Sequence, residues 1–142
     1  MSDLTATLHE WHLVNHRYIA YVRALTDDEL QEQYKVLEDY AKEHHLKIAQ
    51  TFCDIGQPMT GLHHAMESLE GADGMIVCDL DRLVTHHEDR LRDLRPILHH
   101  FCSPTHGKHL ISIAEGINTA TASGQMMAME MVQEFKEARI AE

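Results

Sequence analysis

The spacing of apolar residues changes period several times along the chain. Tyr18 to Leu25 reads Tyr-Ile-Ala-Tyr-Val-Arg-Ala-Leu, an aromatic and β-branched run that predicts a first strand after a polar, histidine-containing leader over residues 1–17. Thr26-Asp27-Asp28-Glu29 has the form of a capping box, in which the threonine oxygen accepts a first-turn N–H and Glu29 reaches back. Leu30, Tyr34, Leu37 and Ala41 then recur at helical spacing and predict a helix to about His44. Leu46 to Cys53 predicts a second strand, ended by the turn formers of Asp54-Ile55-Gly56-Gln57-Pro58. A short amphipathic helix follows on Leu62, Ala65, Met66 and Leu69 and closes at Gly71. Met75-Ile76-Val77-Cys78 is a continuous apolar run of the kind a central, doubly covered strand carries.

Helical period returns from about His86 through Leu91, Leu94, Leu98 and Phe101, with Pro96 expected to kink or restart the helix because it lacks an N–H. Ser103 to Gly107 predicts a loop, Leu110 to Ile113 a further short strand, and Ser123 to the C-terminus a long last helix. In that helix Met127, Met131, Phe135 and Ala138 form the main apolar stripe, while Met126, Met129, Val132 and Ile140 fall outside it. The surplus fits ordinary core packing and a partner-chain interface equally well on periodicity alone. Strands alternating with helices make this an α/β domain of about four strands.

The chain has 142 residues, enough for one compact domain, and 44% of them are apolar. Lys plus Arg number 12 against 23 Asp plus Glu, a net charge of −11 that repels a phosphate backbone and argues for weak or no DNA binding by the chain alone. The 13 histidines do not reverse this, because an unperturbed imidazole is mostly neutral at pH 7. Cys53, Cys78 and Cys102 are odd in number and widely spaced, and the start Met-Ser-Asp-Leu-Thr lacks the basic and apolar regions of a signal peptide. A reducing cytoplasm is the expected location, and no apolar run is long enough to span a bilayer.

Two histidine groups could in principle hold zinc: His9, His12 and His16 at helical spacing, and His100, Cys102, His106 and His109 around a loop. Neither spacing matches a standard zinc module, and the doublets His44-His45, His63-His64, His86-His87 and His99-His100 favour solvated surface histidine instead. A histidine-based metal or pH sensor is the more distant alternative. No glycine-rich phosphate loop, CxxC pair or serine hydrolase elbow is present, so no cofactor is expected.

Three ordered blocks carry a family resemblance: Tyr21-Val22-Arg23 leaving the first strand, Leu80-Asp81-Arg82-Leu83 leaving the third, and Glu115-Gly116-Ile117-Asn118-Thr119 before Gly124. With the intervening Asp54-Ile55-Gly56 and Gly61-Leu62, the chain from about Tyr18 to its end resembles the catalytic domain of small serine recombinases, the resolvases and invertases. The resemblance implies a mixed sheet of four to five strands with helices on both faces, and a long C-terminal helix that forms a dimer. The family's small DNA-binding domain, which follows that helix, is not expected in this chain.

In the family, a serine two residues after the first-strand arginine attacks a DNA phosphodiester, and several arginines neutralise the phosphate. Leu25 stands at the serine position. A leucine side chain has no lone pair to attack with, whatever its surroundings. The arginine expected just before Gly61-Leu62 is replaced by Met59 or Thr60, and the one expected three residues after Arg82 by Thr85. Arg23, Asp81 and Arg82 remain, either as a relic anion pocket or as a structural ion pair with hydrogen bonds at the strand ends. Thr26, beside the empty serine position, is better explained as a helix cap than as a displaced nucleophile. The expectation is a non-enzymatic, dimerising or partner-binding regulatory module whose partners are itself and another protein. The alternative is an accessory subunit that joins active recombinase subunits in mixed oligomers.

Overall fold

The computed structural model describes residues 16–56, 60–84, 90–103 and 107–141, with the side chains of 90–92 and 132–141 outside the description. Five strands run through it: β1 (Arg17–Ala24), β2 (Lys47–Ile55), β3 (Gly74–Val77), β4 (His109–Ser112) and β5 (Ile117–Asn118). Four α-helices accompany them: α1 (Asp27–His44), α2 (Thr60–Glu67), α3 (Arg90–Cys102) and α4 (Ala122–Ala141). Short 3-10 turns occupy Ser68–Gly71 and Leu80–Leu83. The sheet order is β2-β1-β3-β4-β5. The first four strands are parallel and β5 returns antiparallel on β4, so the sheet is mixed, as the resemblance implies.

β1 is an interior strand, and its side chains are apolar on both faces. Tyr18, Ala20, Val22 and Ala24 join Ile76, Ile111 and the α1 residues Leu30 and Leu37 in one cluster. Ile19 and Tyr21 point the other way, into a larger cluster with Met75, Val77, Leu94, Leu98 and Phe101. α1 therefore covers one face, and α2, α3 and α4 cover the other. A register shift between Tyr18 and Ile19 marks a bulge on the β2 side.

The predicted elements recur with shifted ends. Leu25 lies past the end of β1, and β2 runs on to Ile55. Thr26 Oγ1 caps α1 by accepting from Glu29 N at 3.3 Å, but Glu29 reaches back to Leu25 N, at 2.9 Å, rather than to Thr26 N. α1 ends at His45, whose positive φ of 56° is the left-handed C-cap conformation. Pro96 sits within α3, where the helix continues unbroken instead of restarting. The two-residue β5 inside the Glu115-to-Thr119 block has no strand pattern of its own; it forms because Ile117 and Asn118 pair with Ser112 and Ile111.

The last helix corrects the start of the predicted stripe, at Met127, while the side chains of Phe135 and Ala138 lie outside the description. Gly124 and Ala128 are buried and Met131 packs on the core, while Met127 is 40% exposed. The home-facing side starts one position away from the methionines because the contact is backbone-close. A Cβ at Gly124 would collide with the Asn118 carbonyl. Small residues let α4 approach β5, and the larger Met126, Met127 and Met129 are left outside.

Candidate functional site

The C-terminal ends of parallel strands open onto a crevice in α/β sheets. Here the end of β1, the start and middle of α1, Gly56 after β2 and the segment after β3 enclose a cleft of about 700 Å³. It is lined by Arg23, Ala24, Leu25, Glu29, Glu32, Gln33, Val36, Gly56, Cys78, Asp79 and Arg82. Four of the residues singled out in the sequence fall at or beside it: Arg23, Leu25 and Arg82 line it, and Asp81 abuts it through its main chain. Met59 and Thr85 lie outside the described residues, as do His9, His12 and most of the leader.

The Arg23 guanidinium is committed to four main-chain carbonyls. Nε donates to Arg82 O at 3.1 Å, Nη1 to Gly56 O at 2.6 Å, and Nη2 to Asp81 O at 2.7 Å and Val84 O at 3.2 Å. Arg23 thus ties the end of β1 to the chain leaving β2 and to the 3-10 turn after β3. Its own peptide group is held by Gln33, whose Oε1 accepts from Arg23 N and whose Nε2 donates to Arg23 O. An ion pair is present at the strand ends. Arg82 Nε pairs with Asp79 Oδ2 at 3.2 Å, and the hydrogen bond from Arg23 to Asp81 goes to its carbonyl.

A second polar node braces the cleft from the opposite face. Asp54 Oδ1 accepts from Gly61 N at 2.8 Å, and Oδ2 accepts from Leu62 N at 3.0 Å and from the Tyr21 hydroxyl at 2.7 Å. A carboxylate at these first-turn N–H groups satisfies donors that the helix itself cannot. Gly61 has to be glycine, because a Cβ there would meet the Cys53 carbonyl and Asp54. Burial, then the bond to Asp54, push the Tyr21 hydroxyl well above the ordinary phenol range. Glu115 plays a comparable part after β4, accepting from Leu80 N at 3.2 Å and from the Ser112 hydroxyl.

Leu25 is 72% exposed at the mouth of the cleft, next to the half-exposed Val36. Cys78 at the cleft floor has its thiol pushed up to about 11, first by burial and then by Asp79. Gln33 and Asp79 were not singled out in the sequence. Gln33 had a signal, since it interrupts the buried α1 stripe of Leu30, Leu37 and Ala41. Asp79 immediately precedes the Leu80-to-Leu83 block, and only the fold shows that it pairs with Arg82.

Of the other candidates, Met126 and Met129 are exposed on α4. Val132 lies in the same helix, its side chain outside the description. His109 Nδ1 is buried without a hydrogen-bond partner among the described residues. No group of three or more His, Cys, Asp or Glu among the described residues is placed to hold a metal ion. No described helix is long and apolar enough to cross a membrane.

The sheet order, with its single antiparallel edge and a cleft at the strand ends, defines a resolvase-like α/β domain. The family model described as "Resolvase, N terminal domain" matches residues 18–142, and the chain belongs to this family. Among solved structures it is similar to the N-terminal catalytic domain of TP901-1 integrase, with 22% identity and a TM-score of 0.70 over 89% of this chain and 98% of that one. The C-terminal catalytic domain of ISC1926 TnpA, an IS607-like serine recombinase, matches with 17% identity and a TM-score of 0.44 over 89% and 99%. No curated protein matches the chain.

Proposed function

We propose that this chain is a catalytically inactive serine-recombinase-like domain that acts as a dimerising or partner-binding regulatory module. One observation carries the reading. Leu25, where the resemblance puts the attacking serine, presents an aliphatic side chain at the cleft mouth. Phosphoryl transfer depends on a positioned nucleophile and on cations facing the phosphate. The reading is supported among the described residues by Leu25 at the mouth, by Arg23 bound to carbonyls and by Arg82 bound to Asp79. Loss of one oxyanion donor in other enzymes slows them about 10²- to 10³-fold. The net charge of −11 further weakens attraction to a duplex.

The test is covalent trapping. Incubation with fragmented host DNA and denaturing electrophoresis should show no protein–DNA adduct, and Leu25→Ser should show none either. An adduct with the natural chain overturns inactivity. An adduct with Leu25→Ser alone shows that the arginines still neutralise a phosphate and that one substitution accounts for the loss. Duplex affinity should be weaker than micromolar at physiological salt, and a submicromolar value with a steep salt slope contradicts the reading.

A further inference from the structure

We infer that the cleft at the strand ends accepts a cationic side chain, an arginine or lysine flanked by aliphatic residues, from a partner protein. This rests on the partner-binding reading above and names the chemistry that would occupy its site. The first ground is the balance of charge. Glu29, Glu32 and Asp79 face the cleft against Arg23 and Arg82, and both guanidiniums already have protein acceptors. Among the described lining residues the three carboxylates outnumber the two guanidiniums, so an entering anion is repelled and an entering cation attracted. Asp79 Oδ1, on the carboxylate that Arg82 holds through Oδ2, is buried and has no hydrogen-bond partner among the described residues. An orphan of this kind needs explaining, since leaving it unmade is costly.

The second ground is the rim. Leu25 and Val36 are 72% and 43% exposed at the mouth, beside Glu29 and Glu32 on the first turns of α1. Aliphatic edges around an acidic interior complement a basic side chain whose neighbours are apolar, because the stem and flanks bury against the rim while the head reaches the acids. A bare metal ion fits poorly, as the carboxylates are too dispersed for any group of three to ligate one among the described residues. A volume of about 700 Å³ suits a few inserted side chains.

The full chain, labelled with nitrogen-15, is titrated with a blocked Leu-Arg-Leu peptide, a blocked Leu-Glu-Leu peptide, spermidine and inorganic phosphate. Leu-Arg-Leu should shift the amides of Leu25, Gln33 and Val36, with an affinity that falls as salt rises. Glu32→Gln should weaken it roughly two- to fivefold, the range of a partly exposed ion pair. Equal binding of Leu-Glu-Leu overturns the charge argument, and equal binding of spermidine overturns the apolar rim and the protein partner. Phosphate shifting these amides in place of the peptide restores the anion-pocket reading, and no shift with any probe also refutes the inference. These outcomes are independent of DNA adduct formation, which alone decides whether the domain is inactive.

Discussion

Arg23 and Arg82 hold each other's main chain: Arg23 Nε donates to Arg82 O at 3.1 Å, and Arg82 Nη1 donates to Arg23 O at 2.8 Å. Two like charges approach because each guanidinium addresses a carbonyl of the other residue, and Asp79 sits beside Arg82 as the counter-charge. The exchange clamps the exit of β1 to the turn after β3, which fixes the width of the cleft.

Arg23→Ala should therefore behave as a core mutation. It strands four carbonyls, those of Gly56, Asp81, Arg82 and Val84, that lose their donor together. A loss of roughly 2–4 kcal/mol is expected in urea unfolding, with Arg23→Lys recovering only part, since an ammonium lacks the planar fork. A change below about 0.5 kcal/mol would falsify the clamp. A wild-type midpoint raised by added phosphate would instead favour an anion site.

Asp54 and Tyr21 should separate in a second series. Tyr21→Phe removes one hydrogen bond and keeps the ring in the core, for a loss of about 1 kcal/mol. Asp54→Ala also uncaps Gly61 N and Leu62 N and leaves the Tyr21 hydroxyl without its acceptor, for about 2–3 kcal/mol. Equal losses in the two variants would mean that the helix cap contributes nothing.

Alkaline pH should weaken the fold. The Cys78 thiol is pushed from 9.0 to about 11 and the Tyr18 hydroxyl from 10.0 to about 12, both chiefly by burial. A raised value means that the folded chain holds protons the unfolded chain has lost, so stability is complete below pH 9 and declines as pH rises through 9–12. The limiting slope is about 1.4 kcal/mol per pH unit for each group. Chemical denaturation from pH 8 to 11 checks the sign, and Cys78→Ala should flatten the lower part of the curve. Stability that rises over this range contradicts the assignment.

The elements were legible in the sequence where one period dominates: the Tyr18 run, the α1 stripe and the Met75-to-Cys78 run all fold as their patterns predict. The cleft was legible only in part. Arg23 and Arg82 stand out as charges at strand ends, but a residue list gives no sign that carbonyls bind a guanidinium. That Arg82 pairs with Asp79 depends on which way a 3-10 turn presents its neighbours. β5 was invisible because two residues cannot display an alternation. The stripe on α4 was displaced because hydrophobicity selects methionine, whereas close approach to the sheet selects Gly124 and Ala128.

That displacement sharpens the last prediction, self-association through α4. Met126, Met127 and Met129 are 64%, 40% and 46% exposed on a helix whose home contacts begin at Gly124 and Ala128. Flexible methionines outside a helix's own packing face suit an adaptable interface, and a two-fold axis lets one patch cover its own copy. Burying each side chain is worth on the order of 1.5–3 kcal/mol before ordering and association costs, which makes a micromolar dimer the expected result. Replacing Met126 and Met129 together by Glu sets like charges across that axis. Neither side chain is buried in the protomer, so the variant should keep the wild-type circular dichroism and run as a monomer in light scattering. A wild type that is monomeric at high micromolar concentration removes the interface altogether. A double variant that unfolds places these methionines in the core instead, against their exposure in the protomer.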